Sequence, residues 1–234
     1  MSFLMNIYRY VVNLIHTTFN GTNEYVNCGN DTSLNFERTN SFSFSFWVYI
    51  DSTGSGSRVV LSRYASNKGY FIRVQSDLKL RFCLINDNSS TNGIYVDSTS
   101  ALSTDTWINC IVTYNGTSLI SGVKMYFDKI DQSLTTILDN LSANVTNTNT
   151  FCLASLDSTP AQLFDGKIDK VIVYNDVITS GEATTIHNYG RKAGLIGIGN
   201  EVSQWEMDAL NPSDEIGSND GTSTNMDSSN IVVG

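Results

Sequence analysis

Phe42-Ser43-Phe44-Ser45-Phe46-Trp47-Val48 decides the fold of this chain. A β-strand turns successive side chains to opposite faces, so Phe42, Phe44 and Phe46 share one face. The serines stand opposite until Trp47 and Val48 make the strand apolar on both sides, which places it centrally in a sheet. The run Phe164-Asp165-Gly166-Lys167-Ile168-Asp169-Lys170-Val171-Ile172-Val173-Tyr174 reads as a second strand. Its residues Ile168, Val171 and Val173 sit among apolar neighbours, as expected of a strand between two layers. Both runs are assigned to one β-sandwich.

Working outward, short alternating or apolar runs recur between turn residues, the rhythm of an antiparallel sandwich. Strands are expected near 10–19, 24–28, 42–50, 57–64, 69–75, 78–85, 93–97, 107–114, 122–128, 150–154, 164–174 and 201–207. Asn20-Gly21, Asn92-Gly93, Asn115-Gly116 and Asp165-Gly166 supply residues that tolerate positive φ and are read as turns. Ser52 to Ser57 reads as an exposed loop. One helix is expected, near 180–188. Thr179 and Glu182 form a capping-box pair ahead of it, and Gly190 is placed to end it.

The chain has 234 residues, which suits one large domain. It carries 14 Lys and Arg against 23 Asp and Glu, a net charge of -9, and this acidity disfavours nucleic-acid backbones and anionic membranes as partners. Only 16% of residues are charged, while Asn, Ser and Thr abound, a balance that fits strands joined by polar turns better than surface helices. Met1 to Ile15 is apolar but broken by Asn6, Arg9 and Asn13, and no small-residue cleavage site follows. No window supplies the ~18–20 apolar residues of a membrane span. Residues 1–16 are read as an N-terminal extension or first strand that could serve as an anchor, 17–207 as the sandwich, and 208–234 as an extended C-terminal tail.

Cys28, Cys83, Cys110 and Cys152 are widely spaced, with no C-x-x-C pair to suggest zinc or redox chemistry. Cys83 and Cys110 fall inside strand-like runs, so free buried thiols are the preferred reading, with disulfides the alternative if the protein is secreted. The six Asn-x-Ser/Thr triplets, at Asn20, Asn30, Asn88, Asn115, Asn140 and Asn144, are what chance gives at this composition and carry no argument.

Four ordered segments resemble the laminin-G-like domains of the concanavalin A-like lectin/glucanase superfamily, in the branch found in phage and viral structural proteins. Phe19-Asn20-Gly21-Thr22-Asn23-Glu24-Tyr25-Val26 is similar to the opening segment of that family. Ser33 to Phe36 with Phe46-Trp47-Val48 is similar to its next strand, and Trp107 to Gly116, followed by Tyr126-Phe127-Asp128, to its central strand and turn. Phe164-Asp165-Gly166-Lys167-Ile168-Asp169 through Tyr174, with the Glu182 helix, is similar to its closing element. More loosely, Trp205 and the 219–226 stretch resemble the tails of phage-encoded members. The resemblance implies an all-β fold: an antiparallel jelly-roll sandwich with one short helix near the C-terminal end. The branch it resembles points to a non-enzymatic protein of the virion surface, a decoration or fibre-associated component with capsid or tail partners in a homo-oligomer; host glycans are a further candidate partner, although family membership by itself implies no ligand. The alternative is a secreted, extracellular lectin, and a glycan hydrolase is the least favoured reading.

Candidate residues follow from chemistry. Aromatic ring faces pack against the C–H faces of sugars, so Tyr64, Tyr70 and Tyr95, near loops, are the glycan-binding candidates. The resemblance implies calcium as a cofactor, since some laminin-G-like domains hold it at loop oxygens; those of Asn86, Asp87, Asn88, Asp157 and Asp165 are the candidate ligands, with ordinary turn capping as the alternative. Glu206 and Asp208 would share a face if one strand reached both, the spacing of a hydrolase carboxylate pair. No third carboxylate follows, so solvated surface charge is the preferred reading. His16 and His187, the only histidines, are read as structural.

Overall fold

A computed structural model describes residues 14–51, 56–87, 91–159 and 161–234. The apolar stretch 1–13, most of the expected extension, lies outside the described residues. In chain order the strands are β1 (Ile15–Asn20), β2 (Tyr25–Asn27), β3 (Ser41–Tyr49), β4 (Arg58–Ala65), β5 (Lys68–Val74), β6 (Lys79–Asp87), β7 (Asn92–Ala101) and β8 (Trp107–Asn115). There follow β9 (Val123–Phe127), β10 (Ile130–Asp131), β11 (Leu134–Asp139), β12 (Phe151–Leu153), β13 (Asp165–Tyr174), helix α1 (Ser180–Tyr189), β14 (Glu201–Trp205), β15 (Thr222–Thr224) and β16 (Ile231–Val233). The first sheet runs β10-β9-β8-β3-β13-β1-β16, with β14 also pairing β13, and the second runs β11-β7-β6-β5-β4-β12-β2-β15. All pairings are antiparallel, and the all-β sandwich with one helix near the C-terminal end stands as expected. Among the described residues no helix is long and apolar enough to cross a membrane.

The two runs that decided the fold are direct neighbours: β13 pairs with β3, and β3 with β8 along its whole length. Phe42, Phe44, Phe46 and Val48 point inward and meet Tyr70, Ile72, Phe82 and Leu84 of the facing sheet. A fully buried side chain of this size contributes about 1.5–3 kcal/mol over its exposed state, so the alternation of β3 fixes its register. In β13 that alternation is broken by a bulge between Asp169 and Ile172, where Lys170 adopts φ 43°. The extra residue turns Asp169 and Lys170 both to the outer face, while Ile168, Val171 and Val173 remain in the core. At the same point β13 exchanges one neighbour for another, pairing with β1 before the bulge and β14 after it.

Two expected turns are strand positions instead. Gly93 lies inside β7, and Gly166 lies inside β13, where φ is 138° and a Cβ would stand 2.4 Å from the Tyr49 carbonyl oxygen. Asn20-Gly21 and Asn115-Gly116 are turns, with φ 65° and 78° at the glycines. The helix has its capping box: the Thr179 hydroxyl accepts from the Glu182 amide, and the Glu182 carboxylate accepts from the Thr179 amide at 2.7 Å. Residues 208–234 do not trail over the surface. Their β15 adds to β2 and their β16 to β1, so this stretch closes an edge of each sheet. Trp205 anchors that return, stacked on Phe151 at 5.4 Å and donating its indole N–H to the Asn219 carbonyl. The four cysteines are free and buried, as expected.

Candidate functional site

The expected tyrosine trio is not a surface. Tyr70 is 1% exposed, lies between the sheets and donates its hydroxyl to the Leu34 carbonyl at 2.6 Å. Strand parity explains this: Tyr70 shares the inward face of β5 with Ile72 and Val74. Tyr64 and Tyr95 do stand on the outer face of the second sheet, but they are buried there with Val59, Phe71, Cys83 and Ile85. Burial pushes both phenols up, that of Tyr95 to about 12. Further along this face Arg81 and Asp97 form an ion pair at 2.6 Å.

The calcium candidates are not gathered into a site. Among the described residues no three His, Cys, Asp or Glu are grouped to hold a metal ion. Asp157 caps its own loop by accepting from the Thr159 amide, and Asp87 accepts from the Thr91 hydroxyl. Asp165 opens β13 in the other sheet, and Asn88 lies outside the described residues. The spacing of Glu206 and Asp208 also fails as a carboxylate pair. β14 ends at Trp205, Met207 has φ 59°, and Asp208 is exposed while Glu206 is buried against Lys170.

A different constellation occupies the outer face of the first sheet. With Phe42, Phe44 and Phe46 committed inward, Ser43, Ser45, Trp47 and Tyr49 face outward. The Ser43 hydroxyl donates to the Asp176 carbonyl and accepts from the Ile178 amide, which fixes the chain entering α1. The helix then lays Ala183 and Ile186 over Ile111, Tyr126, Ile172 and Tyr174. It covers one end of the face and leaves the other end to Trp47, Tyr49 and Trp107, all half-buried. Tyr49 stands directly opposite Trp107 on β8 and opposite Lys167 on β13, so the three form one row across the sheet.

Each of these rings carries a basic side chain. His187, from the last turn of α1, stacks on Trp47 at 5.7 Å. The Lys167 ammonium stands 4.0 Å from the Tyr49 ring centre, and the Arg191 guanidinium 4.0 Å from that of Trp107, both within cation–π range. Trp107 reaches diagonally over β3 and β13 to meet the ring of His16 on β1, edge to face at 5.0 Å. His16 is 2% exposed, and among the described residues neither ring nitrogen has a hydrogen-bond partner. Burial, aided by the charges of Arg191 and then Lys167, lowers its pKa to about 4, so the ring is neutral at ordinary pH.

A buried ionic layer supports this platform. Arg191 donates to Asp169 at 3.1 Å and to the Gly234 carbonyl at 2.8 Å. Lys170 donates to the carbonyls of Lys192 and Gly194, each at 2.7 Å, and to both Glu206 oxygens at 3.0 and 3.1 Å. The bulge in β13 is what delivers Asp169 and Lys170 together to the underside of the 191–194 segment. Burial raises the Asp169 carboxyl to about 7, against the opposing pull of Arg191.

Neither Trp47 nor Tyr49 was expected at a site, although the serine alternation already placed both on the face away from the core. Lys167 could be placed on the outer face by the same parity. The arrival of Arg191 and His16 depends on tertiary packing.

A family model described as the concanavalin A-like lectin/glucanases superfamily, of the laminin G type, matches residues 20–184. No curated protein sequence matches the chain. Among solved structures, the heptameric SAP-like pentraxin of Limulus polyphemus is similar at 12% identity and a TM-score of 0.61, with 95% of each chain covered. A protein of Bacteroides ovatus described as carbohydrate binding is similar at 13% identity and a TM-score of 0.64, covering 96% of this chain and 60% of that one. The binding domain of botulinum neurotoxin serotype G is similar at 11% identity and a TM-score of 0.53, covering 75% and 47%. These structural likenesses concern the fold. With the family model spanning well over half of its length, the chain belongs to the concanavalin A-like lectin/glucanases superfamily.

Proposed function

We propose that this protein is a non-enzymatic carbohydrate-binding module whose site is the aromatic platform on the outer face of the first sheet. The observation that carries the reading is the row of half-buried rings, Trp107 and Tyr49 with Trp47 beside them, held by a rigid sheet and flanked by hydrogen-bond donors. Sugars are bound by apolar C–H faces against aromatic rings together with a few well-placed polar groups, and the platform offers both. The lectin-like fold and the Bacteroides ovatus relative described as carbohydrate binding support the same class of ligand. The only carboxylate pair with hydrolase spacing is divided between a buried ion pair and solvent, which speaks against glycan hydrolysis. Display on a virion surface, in a homo-oligomer beside capsid or tail proteins, would put this platform where host glycans are met, and mass spectrometry of purified particles tests that setting.

The experiment for the platform is a glycan array read with the full chain and with Trp107→Ala, Tyr49→Ala and Tyr64→Ala, each with and without chelator. Binding lost in the first two variants and kept in Tyr64→Ala is the expected result. Binding lost only in Tyr64→Ala would move the site to the second sheet, and loss on chelation would restore a role for calcium. No binding across the array would refute the reading.

A further inference from the structure

We propose that the platform takes an acidic saccharide, one bearing a carboxylate or sulfate, seated with its anionic group against Lys167. This deepens the carbohydrate-binding reading and rests on it. The chain carries a net charge of -9, yet the platform is walled by Lys167, Arg191 and His187, with His16 beneath its rim. Basic groups concentrated on one face of an acidic protein do not follow from its overall composition.

The charges on this face are not equivalent. Arg191 already donates to the Asp169 carboxyl at 3.1 Å and spends a second donor on the Gly234 carbonyl. His187 faces Asp128, with Nδ1 3.6 Å from the carboxylate. Lys170 is enclosed beneath the 191–194 segment with Glu206. Lys167 is different: among the described residues no carboxylate lies within ion-pair distance of it and no acceptor takes its Nζ, which rests only on the Tyr49 ring. The stretches outside the described residues, 1–13, 52–55, 88–90 and 160, contain no Asp or Glu that could supply one.

The second observation is His16. Buried polar groups in proteins are normally satisfied, yet among the described residues nothing partners either His16 nitrogen. Lys167 pairs with Thr18, two residues along β1 from His16 and on the same face, so the ammonium and the imidazole project from neighbouring positions of that face. A ligand oxygen held by the Lys167 ammonium would lie beside this imidazole, whose buried N–H would donate to it only after the ring shifts outward. A sugar ring carrying that oxygen would pack against the ring parts that Lys167 and Arg191 leave open on Tyr49 and Trp107, which meet edge to face at 5.8 Å and 65° as an angled apolar wall. An uncharged sugar could use the wall but would leave the ammonium unpaired, and pairing a charge is the stronger interaction.

The test is titration of the full chain with lactose, lactose bearing a terminal sialic acid, and lactose bearing a sulfate ester, followed by intrinsic tryptophan fluorescence and calorimetry. Either acidic form is expected to bind at least about tenfold tighter than lactose, a preference that weakens with added salt. Which of the two wins assigns the anionic group. Lys167→Gln keeps the stem on Tyr49 and removes no hydrogen bond within the fold, so it should preserve the melting temperature and abolish the preference. Lys167→Arg should restore most of it. Lactose binding equal to that of both acidic forms, unchanged in Lys167→Gln, would overturn the inference while leaving the carbohydrate-binding reading intact. Silence of all three ligands together with a blank glycan array would overturn both.

Discussion

Replacing Glu206 by Leu should cost this fold about 3–5 kcal/mol, because it strands a charge in the protein interior. The Lys170 side chain is 1% exposed and points its ammonium at four acceptors, two of which are the Glu206 oxygens. Leu approximates the volume of Glu, so the loss is electrostatic more than steric. The two remaining carbonyls, of Lys192 and Gly194, carry dipoles where the carboxylate carried a full charge. For a chain of this size each kcal/mol moves the melting temperature by roughly 2–4 °C, so the variant should melt about 6–20 °C below the parent. Circular dichroism melts and urea titrations measure this directly. The double variant Lys170→Met/Glu206→Leu removes both charges and should recover much of the loss, the signature of a coupled pair in a double-mutant cycle. A single-variant loss below about 1 kcal/mol, or a double variant no better than the single, would refute the assignment of a buried and mutually dependent pair.

Three further outcomes follow. Thr179→Ala removes the hydroxyl that accepts from the Glu182 amide and should cost about 1 kcal/mol, read by urea titration, with Thr179→Ser close to the parent. Asp169, raised by burial to about 7 against about 4 in an unfolded chain, holds a proton in the folded state that the unfolded state has released between those values. Its contribution to stability is therefore full below about pH 4 and declines as pH rises to about 7, so the stability difference between the parent and Asp169→Asn should shrink over that interval; a difference that grows would mean Arg191 keeps Asp169 ionised. Burial raises the thiols of Cys28, Cys83, Cys110 and Cys152, the last to about 11, so a thiol-specific reagent should label none of them in native protein at pH 8 and all of them in denaturant.

Period-two patterning made the sandwich legible because it is a local consequence of burial. Phe42 to Val48 had to be a central strand, and the Thr179 and Glu182 capping pair had to start a helix, since both are written in adjacent residues. Edge strands β10, β11, β15 and β16 escaped because they are short or largely exposed and so lack an apolar face that repeats. Gly93 and Gly166 were misread for a related reason: a glycine serves equally where the chain turns and where another backbone comes close, and only the second strand distinguishes the two. Proximity to a loop was a poor guide to exposure. Tyr70 is next to a turn yet belongs to the inward parity of β5, whereas Trp47, in the strongest core strand of the chain, belongs to the outward parity of β3.

The bulge at Lys170 links these two halves of the molecule. A regular β13 with Ile168 inward would turn Asp169 outward and Lys170 inward, driving an ammonium into the core and putting Val171 and Val173 on the outer face. Inserting one residue instead places both side chains outside, where Glu206 pairs with Lys170 and Arg191 donates to Asp169. The consequence is mechanical as well as electrostatic. Lys170 holds the carbonyls of Lys192 and Gly194, Asp169 holds the Arg191 guanidinium, and Arg191 lies on Trp107. The part of the sheet that breaks its own alternation is therefore the part that builds one wall of the platform. Loosening the 191–194 segment in Glu206→Leu should free Trp107 from Arg191 and shift its fluorescence at temperatures well below the melt. An unshifted Trp107 signal alongside a large loss of stability would separate the ionic layer from the site above it.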